Sequence, residues 1–177
     1  NIDPNAPSGE NVTNDLIITG VEMNLATSYG NFFRILGGYY SQQYSQLFGT
    51  SNYLDYSQFV SSQTRTSGTY TQLNTRVLGN LQTIRDKSSA TEDWGTYLAA
   101  TTLRAFTYQA LVDAYGETPY TEALNGAILA PKYDDGTVVY AGILAELDEA
   151  LSKVNDNSTV IETFLFGKSS SKEWIEF

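Results

Sequence analysis

The residues best suited to recognising a ligand crowd into positions 47–65, "LFGTSNYLDYSQFVSSQTR". Asn52, Tyr53, Asp55, Tyr56, Gln58 and Phe59 lie close together there, and Arg65 ends the stretch. An aromatic ring offers an apolar face on which the C–H face of a sugar can stack. Neighbouring amides and carboxylates can then hydrogen-bond the sugar hydroxyls, and Arg65 adds fork-shaped donors. The competing reading is a loop folded over the core with its rings buried. Residue types alone leave both readings open.

Other chemistry is thinly represented. The chain has neither histidine nor cysteine. That excludes Ser-His-Asp catalysis, thiol nucleophiles, disulfides and zinc thiolate sites. Carboxylate pairs could serve glycoside hydrolysis, and there are three: Glu92/Asp93, Asp134/Asp135 and Asp148/Glu149. The first two fall at expected helix starts, where the helix dipole favours acids. The third falls on a solvated helix face. "NDNSTVIE" lacks the glycine and the spacing of a calcium loop, and no glycine-rich loop follows a strand to cradle phosphate. No metal, cofactor or catalytic residue is therefore expected. A net charge of −10 over 177 residues opposes nucleic acid and anionic lipid as partners.

The elements that must position the 47–65 stretch read as helices. Residues 1–12, with two prolines, form an extended lead-in, and residues 13–177 form a helical domain. Ile17, Val21, Leu25 and Tyr29 share one face at i, i+4 spacing, with Thr13 or Asn14 as cap and Gly30 as stop. A second helix is expected over 31–46; Gly37-Gly38 within it weakens a straight helix or lets a neighbouring helix approach closely. Residues 47–65 show no sustained period and read as a long loop. Tyr70, Leu73, Val77, Leu81 and Ile84 restore helical spacing. Thr91 is the expected cap of the next helix, which is apolar nearly all round and therefore central. It stops at "AYGETPY", where Gly116 and Pro119 make a joint that Tyr115 and Tyr120 anchor. Asp134 or Asp135 caps an amphipathic helix striped by Tyr140, Ile143, Leu144, Leu147, Leu151 and Val154, with Glu146, Asp148 and Glu149 on its other face. "TVIETFLF" is the best candidate strand in a chain otherwise without one. The fold class is all-α, built of antiparallel helix pairs that stack as a bundle or solenoid.

"LRAFTYQALVDAYGETPYTEAL" followed by "PKYDDGTVVYAGILAELDEAL" resembles the SusD/RagB family of outer-membrane nutrient-binding lipoproteins from Bacteroidetes. "NIDPNAPSG", "VLGNLQTI" and "FGKSSSKEWIEF" fit the same family in the same order, with Trp174 and Phe177 sharing a face. The Tyr-Gly-x-x-Pro-Tyr corner is the most specific piece. The resemblance implies tetratricopeptide-like helix pairs packed against a TonB-dependent, SusC-like transporter. It also implies a lipid-anchored cell-surface location and capture of glycans or peptides without catalysis. Family chains are longer, so it further implies an N-terminal portion lacking the lipid-bearing cysteine. Ligand residues vary between members, so the candidates at 52–65 rest on their own chemistry. The alternative is a helical protein-interaction scaffold with no ligand of its own.

Overall fold

The computed structural model describes residues 12–177 apart from 48, 50, 51, 61 and 62. The expected lead-in therefore lies almost wholly outside the described residues. Eight α-helices and one two-stranded hairpin are present among the described residues, so the chain is mostly helical.

Two long rods come first. Helix α1 (Asn14–Ser28) runs through a π-helical turn, Tyr29–Phe33, into α2 (Arg34–Tyr40). Gly30 therefore does not stop the first helix; the wider turn absorbs it. Thr13 precedes α1 without a side-chain cap bond, and Asn14 instead donates to Ser88 Oγ at 3.2 Å. Helix α2 ends at Tyr40, six residues before the expected end at Gln46. A four-residue helix, α3 (Leu54–Ser57), interrupts what reads as a loop. The second rod is α4 (Gln63–Gln72), a π-helical turn at Leu73–Leu78 and α5 (Gly79–Ala90). Ile18, Val21 and Leu25 of the first rod meet Leu73, Val77, Leu81 and Ile84 of the second in one core.

A three-residue turn at 91–93 folds α6 (Trp94–Tyr115) back along the second rod. The cap of α6 is Asp93, whose Oδ1 accepts from Thr96 N at 3.2 Å. Thr91 belongs to the preceding end, donating to Lys87 O at 3.1 Å. Helix α6 is the central helix that its all-round apolar sequence predicts: Leu98, Leu103, Tyr108 and Leu111 are buried. Its buried threonines donate back to the preceding turn, Thr101 to Tyr97 O and Thr107 to Leu103 O.

The corner after α6 is a joint. Gly116 takes φ +79 and ψ −120, a region open to glycine alone. Thr118 and Asp134 form an isolated antiparallel bridge. Tyr115 donates to Thr66 O at 3.0 Å, and Tyr120 packs edge-on against Tyr108 at 4.9 Å. Asp135 caps α7 (Gly136–Leu151) through Thr137 N. Asp134 is buried and accepts from Tyr120 N and from the N–H and hydroxyl of Thr121.

Those bonds, the Thr121 N–H first, hold the Asp134 carboxyl below the usual carboxylate range. Its stabilising contribution is therefore complete above the unfolded value of about 3.9 and is lost as pH falls through the lower folded value. Asp134→Asn should cost about 1–2 kcal/mol at neutral pH. The gap between its melting temperature and that of the unmodified chain should narrow as pH falls toward 3. A gap independent of pH would assign the loss to shape rather than charge.

After α7 the chain turns at 152–158 into β1 (Thr159–Thr163) and β2 (Gly167–Ser170), antiparallel, with Thr159 opposite Ser170 and Val160 opposite Ser169. The first five residues of the candidate strand are thus a strand and its last three the hairpin turn, and the all-α reading gains a hairpin. Gly95 of α6 lets β1 lie on the helix: a Cβ there would stand 2.1 Å from Thr159 O. Glu22 of α1, itself buried, accepts from Phe164 N and Leu165 N at the hairpin tip. Helix α8 (Ser171–Glu176) starts in a Ser170/Glu173 capping box.

Candidate functional site

The end of α2, the turn after it and α3 gather six rings. Tyr39 and Tyr56 are buried at 8% and 3% exposure and form the base, with ring centroids 6.4 Å apart. Tyr53 stacks on Tyr56, its plane tilted by 13°, and leans on Tyr39. Tyr40 stands edge-on to Tyr56 at 6.2 Å and lies 5.6 Å from Phe59. Tyr44 meets Tyr39 edge-on at 5.9 Å. Gly38 makes that turn possible, because a Cβ there would stand 2.2 Å from the Tyr44 ring. The close approach expected at the glycine pair is therefore made by a ring on the chain's own turn, not by another helix.

The sequence candidates divide between support and surface. Tyr56 is inside the protein, and burial, with Asp55 beside it, raises its hydroxyl above the usual phenol range. Asp55 Oδ1 accepts from Tyr56 N and Oδ2 pairs with Arg65 Nε at 3.0 Å. The Arg65 guanidinium also lies over the rings of Tyr53 and Tyr56, 5.6 and 5.9 Å from their centroids. Arg65 therefore braces the cluster. Asn52, Gln58 and Phe59 are exposed, and Phe59 keeps 56% of its surface in solvent. Tyr40 and Tyr44, at 38% and 41% exposure, join them. Both fall within the helix expected over 31–46 and not among the candidates; the signal available was the ring density of "GGYYSQQY" beside a glycine pair. The surface thus offers exposed rings next to free amide groups, which can stack on a sugar and hydrogen-bond its hydroxyls.

The acidic pairs have structural partners. Asp93 and Asp135 cap helices, Asp134 ties the corner, and Glu149 pairs with Lys153 at 2.6 Å. Glu146, expected on the solvated face of α7, turns inward instead. Its Oε2 lies 3.0 Å from Arg85 Nη1 and 2.9 Å from Arg104 Nε, and its Oε1 accepts from the Tyr120 hydroxyl at 2.7 Å. Burial and this bond raise the Tyr120 hydroxyl.

A groove of about 480 Å³ opens elsewhere, between α1, α6, the hairpin tip and Phe177. Met23, Phe164, Leu165 and Phe177 line it while remaining exposed. Among the described residues its single charged wall, Glu22, is already bonded to the hairpin, and the Tyr29 hydroxyl donates to Phe106 O at 3.5 Å. That leaves little to orient sugar hydroxyls; an apolar face of this kind suits a protein segment.

The family model described as SusD-like, starch-binding and associating with the outer membrane matches residues 4–177. None of the curated proteins matches the chain in sequence. A solved chitin-binding protein superimposes with a TM-score of 0.72 at 23% identity, covering 90% of this chain and 35% of its own. The chain thus spans about a third of that structure's length, and the likeness is one of fold.

Proposed function

The chain belongs to the SusD-like family, and from that premise we propose that it binds glycans at the outer membrane without transforming them. The exposed rings of Tyr40, Tyr44 and Phe59 carry this reading. Exposed rings also serve protein interfaces; here the amides beside them add groups that can hydrogen-bond sugar hydroxyls. Starch in the description of the family and chitin in the name of the structural neighbour support an oligosaccharide ligand. Tyr53, Asn52 and Gln58 border the ring surface; Tyr56, Asp55 and Arg65 hold it in shape. No helix among the described residues is long and apolar enough to cross a membrane. Surface attachment is proposed through a lipid anchor, beside a TonB-dependent SusC-like transporter that receives the glycan. The apolar groove favours a second reading, a scaffold that docks another protein segment.

Titration calorimetry with maltoheptaose and with chitohexaose separates the two readings. Binding of either oligosaccharide to the folded chain is the expected result. No heat from either sugar, with the chain folded by circular dichroism, would leave the scaffold reading.

A further inference from the structure

We infer that the ligand-contacting platform is the Tyr40–Phe59 ring pair and that it takes neutral rather than anionic glycans. This rests on the glycan-binding reading and adds the contact residues and the ligand's charge class.

Phe59 ends α3 in a helix-terminating motif. Phe59 N donates to Tyr56 O at 3.1 Å and Val60 N to Asp55 O at 2.8 Å, the two bonds of a Schellman turn. The residue between them takes the left-handed conformation, and Phe59 has φ +57. Glycine ordinarily fills that position, because a β-carbon crowds the following carbonyl. A phenylalanine there is strained, and its ring, more than half exposed, recovers little of that cost by burial. Gln42, Glu92 and Leu124 also take positive φ, so the strain counts here together with the exposed ring that it sets beside Tyr40.

Tyr40 completes the platform. Its ring lies 5.6 Å from Phe59 with a 34° tilt between the planes, and Tyr56 supports it from below edge-on. The supporting rings are themselves fixed, Tyr39 by Gln46 Oε1 at 3.3 Å and Tyr53 N by the same oxygen at 3.0 Å. The platform is therefore pre-organised, and binding need not order it.

Charge decides the ligand class. The cation at the cluster, Arg65, is offset by Asp55, its Nε pairing with Oδ2 at 3.0 Å, so the pair presents no net positive charge to an anionic sugar. The chain as a whole carries −10, which repels polyanions. A neutral ring stacked on Tyr40 and Phe59 needs no such charge and meets no such repulsion.

The test uses the whole chain, with maltoheptaose, chitohexaose and galacturonate oligomers as probes. The unmodified chain should bind a neutral oligosaccharide, with little change between about 50 and 200 mM salt. The galacturonate oligomers should bind at least about tenfold more weakly. Phe59→Gly and Tyr40→Ala should each weaken neutral-sugar binding about tenfold. Phe59→Gly should also melt no lower than the unmodified chain, because it relieves strain; a merely structural ring would lower the melting temperature when removed. If Phe59→Gly binds neutral sugar normally while Tyr53→Ala does not, the platform inference falls and the glycan reading stands. Tighter binding of galacturonate, lost in Arg65→Gln, would overturn the neutral class. Failure of the unmodified chain to bind any of the three probes would overturn the inference and the function together.

Discussion

Replacing Glu146 by alanine is expected to destabilise the chain by about 3–5 kcal/mol, the cost of removing one partner from a buried ion network. Among the described residues Glu146 is the one carboxylate that both Arg85 and Arg104 contact, at 3.0 and 2.9 Å. The two guanidinium groups sit at 10% and 7% side-chain exposure. Without Glu146 they would lose their shared counter-charge while staying nine-tenths or more buried themselves. The Tyr120 hydroxyl would lose its acceptor as well. The network joins α5, α6, α7 and the corner, so its loss should loosen all four. Glu146→Gln keeps an acceptor but no charge and should fall between alanine and the unmodified chain. Replacing Arg85, Arg104 and Glu146 together by apolar residues of similar size should cost far less than the single alanine, because the desolvation cost goes with the charges. Denaturant unfolding of these variants measures the effect. A Glu146→Ala loss below about 1 kcal/mol would show that the arginines pair elsewhere or hydrate.

The same carboxylate shows where the sequence could and could not be read. Helix α7 was legible as a helix because its apolar residues recur at helical spacing, and α6 was legible as central because no face of it is polar. Glu146 was not legible as inward-facing: an acid in "AELDEAL" reads as solvated, and its partner Arg104 lies 42 residues away. Gly142 was equally silent, yet a Cβ there would stand 2.3 Å from the Tyr120 ring and block its reach to Glu146. Long-range pairing leaves no local period, and period is what a sequence displays.

The candidate site was legible in its chemistry more than in its layout. Tyr53, Asp55, Tyr56 and Arg65 do meet, but as a closed ion pair and stacked rings that brace the surface. Which ring faces out is set by backbone geometry: Phe59 by its positive φ, Tyr44 by the turn that folds its ring onto Gly38. The Phe59 conformation has no sequence signal, because phenylalanine stands where glycine is usual; that of Tyr44 has only the glycine pair. The joint at "AYGETPY" was legible because Gly116 and Pro119 sit where such a corner needs them. The hairpin was half legible, since "TVIETFLF" is β-branched but short, and its seat on α6 depends on Gly95 far upstream.

Trp174→Ala should cost a comparable amount, about 3–5 kcal/mol, through a different mechanism. Trp174 is 2% exposed and is the largest side chain that α8 contributes to the core. Its ring meets Phe166 of the hairpin turn edge-on at 5.0 Å, and its Nε1 donates to Ser169 Oγ at 3.3 Å. It therefore fastens α8 and the hairpin to each other and to α6. Trp174 is the large side chain through which Ser171–Glu176 is buried. Alanine would leave a cavity of several carbon volumes beneath it. The melting temperature should fall by about 6–20 °C for a chain of this length. Trp174→Phe should recover part of the loss, because it keeps the aromatic contact with Phe166 and gives up the indole bond. Hydrogen exchange adds the spatial reading: amides of 159–176 should lose protection first, while α5 and α6 retain theirs. Uniform loss across the chain would mean that the hairpin and α8 unfold only with the whole molecule, and would make Trp174 part of one cooperative core.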